Sequence, residues 1–191
     1  ELQLGNILEE MLTPDQYERD VRTNPRSNDT VEFAIKIPTD TGETIYLPID
    51  AKFPQDYYHR LREAYDSMDK KQVDAAATEL TRRIRQEAKT IREKYIAVPY
   101  TTEFAVLFVP FEGLYAELVN RDMIEVLQRE SRVLLAGPAT LAALVNSLQM
   151  GFRTLAIHER SGEVWSVLSE VRTEFEKFEN TLKQVQMRLR Q

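Results

Sequence analysis

Residues 30–37 read TVEFAIKI and residues 44–52 read TIYLPIDAK. In the first stretch Val31, Phe33, Ile35 and Ile37 alternate with Glu32, Ala34 and Lys36; in the second Ile45, Leu47 and Ile49 alternate with Tyr46, Pro48 and Asp50. A period of two is the signature of a strand with one apolar face. Pro38, Asp40 and Gly42 supply turn chemistry between the two runs, so the pair predicts an antiparallel hairpin. Pro48 has no backbone donor and is expected on a sheet edge or beside a bulge.

Outward from the hairpin, Leu4, Ile7, Leu8, Met11 and Leu12 recur at helical spacing until Thr13-Pro14, and residues 21–28 carry loop chemistry. Residues 54–68 and 70–94 read as helices, the second without Gly or Pro. EFAVLFV at 103–109 is a nearly continuous apolar run, as expected of a strand buried on both faces. A helix over 114–130, a strand over 132–136 and a helix opened by Gly137-Pro138 toward His158 complete the order αββααβαβα. This predicts an α/β fold with a sheet of at least four strands flanked by helices. Beyond it Trp165, Leu168, Val171, Phe175, Phe178, Leu182, Val185 and Leu189 form a near-heptad stripe, read as a long coiled-coil-like helix or as one that folds back on the domain. The expected division is a core over 1–160 and a heptad helix over 161–191.

The chain has 191 residues, 42% hydrophobic and 29% charged, which is the balance of a folded protein rather than a disordered one. With no cysteine and only His59 and His158, thiol chemistry and a structural zinc site are excluded, leaving hard cations on carboxylates. A net charge of −6 argues against coating a polyanion through bulk charge, so any nucleic-acid contact is expected to be local. No apolar run is long enough to cross a bilayer and no secretion signal opens the chain. The sequence opens on a helical pattern at Glu1 and closes on another, and we read it as part of a longer protein.

Three acid-x-Lys pairs occur: Asp50/Lys52, Asp69/Lys71 and Glu87/Lys89. Residues two apart share a face on a strand but point nearly opposite ways on a helix, so only Asp50 and Lys52 can converge. Glu32 interrupts the neighbouring strand on the same side. Two carboxylates there would bracket Mg²⁺ or Mn²⁺, and an ammonium beside them would polarise water and stabilise charge on a phosphate. A solvated, ion-paired hairpin face accounts for the same residues.

Six of residues 79–94 are basic and three acidic, which makes Arg82, Arg85, Lys89 and Arg92 the candidates for phosphate-backbone contact, against the reading of a solvated helix face. Glu112 is either functional at a strand end or an acid favoured at a helix N-terminus. Arg153 and His158 are further candidates for the same cleft. Neither GxSxG, GxGxxG nor a GKS/T loop is present.

A helix bearing a glutamate, an acid on the next strand, Asp-x-Lys ending the strand after it and then a helix resemble the PD-(D/E)XK restriction-endonuclease-like nuclease superfamily. The segments ELQLGNILEEML (1–12), VEFAIKIP (31–38), LPIDAKFP (47–54), FAVLFVPFEGLYAE (104–117) and VLLAGPATLAALVNSL (133–148) closely resemble the RmuC family of bacterial DNA recombination proteins. The resemblance spans residues 1 to about 160. It implies a restriction-endonuclease-like mixed sheet and hydrolysis of DNA phosphodiester bonds by metal-activated water, with Mg²⁺ or Mn²⁺ as cofactor. On this resemblance Glu1 takes the place of the first-helix glutamate and Glu32 that of the first strand acid, while Asp50 and Lys52 fill Asp-x-Lys. Glu32, Asp50 and Glu1 would then serve the metal and Lys52 the attacking water. Two departures are visible: Val31 stands where the motif has Pro, and Glu32 is longer than the usual Asp. The resemblance further implies DNA as partner, homo-oligomerisation through the C-terminal helix, and a bacterial cytoplasmic location, with a membrane tether upstream in many family members. The rival expectation is a catalytically weak or inactive DNA-associated scaffold assembled through coiled coils.

Overall fold

The computed structural model describes residues 2–39 and 43–152. One compact unit ends at Leu148, and a second begins at Gln149. The heptad stripe, the expected 160/161 boundary, Glu1, Arg153 and His158 lie outside the described residues.

Along the chain the elements are α1 (Leu2–Met11), β1 (Tyr17–Val21), β2 (Val31–Pro38), β3 (Thr44–Ala51), α2 (Gln55–Asp66), α3 (Lys70–Tyr95), β4 (Ala105–Phe108), α4 (Glu112–Val119), α5 (Met123–Ser131) and β5 (Val133–Ala136). A sixth helix, α6, starts at residue 138 and is described to 152. The five strands form one mixed sheet in sequential order. The β1–β2 and β2–β3 pairs are antiparallel, while β3–β4 and β4–β5 are parallel, each parallel pair joined through two helices. The carboxyl ends of β3, β4 and β5 therefore share one edge of the molecule, the usual place for a site in such sheets.

The hairpin forms as the alternation predicts, in the register Phe33↔Ile49 to Pro38↔Thr44. One face of the sheet packs Ala34 and Leu107 with Leu80, Ile84, Ala88 and Ile91 of α3 in a single buried cluster. The other face buries Phe33, Ile35, Ile49 and Val106, and Gly5 of α1 comes so close to it that a Cβ there would lie 3.3 Å from the Phe33 ring. Each large aliphatic side chain so buried contributes ~1.5–3 kcal/mol. α3 is begun by Asp69, whose carboxylate accepts from the Lys71 N–H at 2.9 Å, and Arg92 and Lys94 complement its C-terminal dipole.

Three expectations are corrected. The loop before the hairpin is preceded by an additional strand, β1. The helix expected over 114–130 is two helices, broken where Asp122 takes φ 58°. Pro48 is buried in a central strand, not on an edge. The N–H groups of Tyr46 and Lys52 point toward β4 and its flank, donating to Tyr100 O and Phe108 O at 3.0 and 2.9 Å. Pro48 has the same parity, and its missing donor falls where the β3–β4 ladder has not begun, since pairing starts at Ile49↔Val106.

Candidate functional site

Asp50 lies near the end of β3, side by side with Leu107 of β4 on the α3 face of the sheet, and is 1% exposed. Its register neighbour on β4 is apolar, so packing on that side would favour an aliphatic residue here. Lys52 lies two residues on, where the strand runs out into solvent, and its Nζ returns to within 2.8 Å of Asp50 Oδ2. That contact is ionic rather than an aligned hydrogen bond, and Oδ2 has no hydrogen-bond partner. Burial pushes the Asp50 carboxyl above its ordinary pKa, with the Lys52 contact and charge opposing and Glu87 adding to the rise. Desolvation acts to lower the Lys52 ammonium, but the contact and charge of Asp50, backed by Glu32 and Tyr95, outweigh it and the pKa is raised. Lys52 is thus a cation at neutral pH, suited to holding water or a phosphate oxygen and unsuited to taking up a proton.

Glu32 stands one step beyond the last hairpin pair, opposite Asp50 by the alternation. The strands part there, and the Glu32 carboxylate replaces the missing ladder acceptor: the Ala51 N–H donates to its Oε2 at 3.2 Å. Glu32 also lines a cavity of about 380 Å³ with Gly5, Glu9, Arg19, Asp20 and Phe33. It therefore belongs both to the Asp50–Lys52 corner and to an opening against α1.

α3 supplies a wall that the sequence pattern did not reveal. Glu87, Lys94 and Tyr95 act electrostatically on Asp50 or Lys52. Glu87 is ion-paired with Arg83 one turn earlier, and Lys94 holds Asp29 at 2.8 Å. Burial and the Asp50 charge both raise the Tyr95 phenol. The signal was present in helical arithmetic: at 100° per residue, positions 83, 87 and 94 fall on one flank and 82, 85, 89 and 92 on the other.

The same arithmetic separates the expected DNA-contact residues from Asp50. Arg82, Arg85, Lys89 and Arg92 line an outer groove of about 750 Å³ shared with Glu130 of α5. Arg85 grips Glu130 through paired bonds of 2.7 to 3.0 Å, and Arg92 donates to the Glu130 carbonyl at 2.8 Å. Glu112 opens α4 and its Oε1 accepts the Ala139 N–H of α6 at 2.7 Å, tying the VPFEG and GPATL segments together as a helix cap. Asp50, Lys52 and Glu32 are therefore brought to one corner, and the four cations of the outer flank lie away from it.

Among the described residues no three His, Asp or Glu side chains form a ready-made metal cage. Mg²⁺, however, keeps several waters and usually takes only one or two carboxylates together with substrate phosphates. The hard oxygens of Asp50 and Glu32, with Asp50 Oδ2 buried and short of hydrogen bonds, fit such an ion.

These features define a mixed α/β domain with a buried acid–lysine pair at the carboxyl edge of its parallel strands. The chain belongs to the RmuC family, whose profile matches residues 1–191. It is 49% identical over 193 residues to the DNA recombination protein RmuC homologs of two Xylella fastidiosa strains, Temecula1 / ATCC 700964 and 9a5c. Each alignment covers 99% of this chain but 42% of the relative, so the chain spans less than half of their length. No solved structure matches it. Among the described residues no helix is long and apolar enough to cross a membrane.

Proposed function

We propose that this chain is the nuclease-like core of a DNA recombination protein, hydrolysing DNA phosphodiester bonds with Mg²⁺ or Mn²⁺ at the Asp50–Lys52 corner, on a fold akin to the PD-(D/E)XK nucleases. The observation that carries the reading is Asp50 itself: an ionised carboxylate on a central strand costs several kcal/mol to bury, and nothing in the packing requires it. Asp50 and Glu32 would hold the cation, joined by Glu1. The ion would supply Lewis acidity to the phosphate and to water. Lys52, kept protonated by Asp50, orients the water for in-line attack and stabilises the charge that develops on the phosphate oxygens. Arg82, Arg85, Lys89 and Arg92 hold the DNA backbone elsewhere. Oligomerisation through the C-terminal helix and a bacterial cytoplasmic location complete the proposal.

A second reading, a DNA-associated scaffold without catalysis, draws on there being no three-carboxylate cluster among the described residues and on the internal neutralisation of Asp50 by Lys52. One assay separates the two. Linear and circular DNA incubated with Mg²⁺ or Mn²⁺ should be cleaved by the wild-type protein and spared by Asp50→Ala and Lys52→Ala. Undiminished cleavage by both variants, or none by the wild type with either metal, rejects the nuclease reading.

A further inference from the structure

The outer groove does not end at Arg92. A second groove of about 680 Å³ shares Arg92 and Glu93 with the first and continues past Arg132 and Arg26 to Val98 and Tyr100. The two grooves adjoin at these shared residues and together make up a channel that begins on the flank of α3 facing away from Asp50. Six cations border it, Arg26, Arg82, Arg85, Lys89, Arg92 and Arg132, against the carboxylates of Glu93 and Glu130. Glu130 is taken by the fork of Arg85, while Glu93 lies 3.9 Å from Lys89 and Glu103 lies 3.9 Å from Arg132 in loose, exposed pairs; six cations against these three carboxylates leave the channel positive in a protein whose net charge is −6. From Arg82 to Arg92 it follows the helix for about 15 Å, enough for several nucleotides.

The far end adds a second kind of contact. Tyr100 is 57% exposed and Val98 58%, side by side with Arg26 and Arg132. The Tyr100 backbone is fixed, its carbonyl accepting the Tyr46 N–H at 3.0 Å and the next residue donating to Ala97 O at 3.2 Å. An aromatic held on rigid backbone beside a cationic track gives up little freedom when a flat partner stacks on it. A duplex presents phosphates to such a channel but keeps its base faces stacked inside. A single strand presents both, and phosphate tracking with base stacking is how unpaired strands are held.

We propose that this channel is a binding site for single-stranded DNA, with phosphates on Arg82, Lys89, Arg132 and Arg26 and a base stacked on Tyr100. It deepens the reading of this protein as acting on DNA, and places strand holding on the opposite flank of α3 from the Asp50–Lys52 corner. A strand would be gripped at one place and hydrolysed at another, and the two functions can be lost separately.

The test is fluorescence anisotropy of the full chain in EDTA with a labelled oligothymidylate of 20 nucleotides, and in parallel with a 20-base-pair duplex. Tyr100→Ala should weaken the single-strand complex roughly tenfold and the duplex complex less than twofold, with Tyr100→Phe close to wild type. The pair Arg82→Gln and Lys89→Gln should reduce the slope of log affinity against log salt by about 1.4 on the single strand. Equal losses on both DNAs, no loss with Tyr100→Ala, an unchanged salt slope, or tighter binding of the duplex overturns the proposal. The wild-type protein should bind the oligonucleotide in EDTA, where no metal is held. If that binding persists while no metal supports cleavage, the nuclease reading fails and the strand-binding site stands.

Discussion

Two aspartate–lysine pairs flank the same end of α3, and each closes to 2.8 Å: Asp50 with Lys52 on β3, and Asp29 with Lys94 between the loop and the helix. The distances are equal and the electrostatics are opposite. The Asp50 side chain is 2% exposed and burial raises its pKa, whereas that of Asp29 is 42% exposed and its hydrogen bonds to Lys94 and Ser27 lower it. An ion pair in water is screened and contributes little, whereas one at a sheet centre carries a desolvation cost that its partner offsets only in part. If the Asp50–Lys52 pair is the functional one, as proposed, contact distance does not mark it; burial on a strand that would otherwise be apolar does.

The largest test of that contrast is catalytic. If the buried pair does the chemistry, Asp50→Ala should lower the rate of metal-dependent DNA cleavage by at least about 10³-fold, the scale of losing metal and charge stabilisation together. Asp29→Ala, which breaks an equally short contact, should stay within about twofold, measured on the same linear substrate. Comparable losses in the two variants would show that proximity to α3, rather than burial of the acid, is what matters.

Asp50 and Lys52 were legible from the sequence because a period of two is local, and two residues suffice to place both side chains on one face of a strand. Glu32 was legible for the same reason, although the parting of the strands that lets it accept from Ala51 was not. β1 escaped because YERDV puts charge at three of five positions and bends through Asp20 at φ 50°, so its alternation carries little apolar signal. The break between α4 and α5 escaped because it uses neither Gly nor Pro; Asp122 enters the left-handed region, which short polar side chains tolerate. The contributions of Glu87 and Tyr95 depend on how α3 lies across the sheet, a tertiary fact that no spacing records. The division of α3 into two flanks was available in the 100° arithmetic. Net charge over residues 79–94 obscured it by adding both flanks together.

Stability gives a smaller version of the contrast. Lys52→Met leaves Asp50 buried beside an apolar chain. It should cost about 2 kcal/mol of unfolding free energy in urea, on the low side for breaking a buried pair because Lys52 is itself one third exposed. Replacing both, Asp50→Asn with Lys52→Met, should recover at least half of that loss, since neither a buried charge nor its missing partner remains. Lys94→Met should leave the unfolding midpoint unchanged within error. A Lys52→Met protein as stable as the wild type would mean that Asp50 is not charged in the folded state, or that water reaches it.

The smallest expected effect is also the most direct reading of the contrast, because the two aspartates should respond to pH with opposite signs. Asp50 binds its proton more tightly when folded. Its contribution to stability is fully present below the unfolded value of 3.8 and is lost as pH rises through the raised folded value. Asp29 releases its proton more readily when folded, so its contribution is present above 3.8 and is lost as pH falls through the lowered value. Thermal midpoints between about pH 3 and 7 should therefore show the margin of wild type over Asp50→Asn shrinking as pH rises, and the margin over Asp29→Asn shrinking as pH falls. Lys52 and Lys94 have raised pKa values and stay protonated throughout this range, so the slopes belong to the carboxyls. Slopes of the same sign would mean that the Lys52 charge, and not burial, governs Asp50. The acid would then sit at its site as an ordinary partner of the lysine, with no excess proton affinity for a metal to displace.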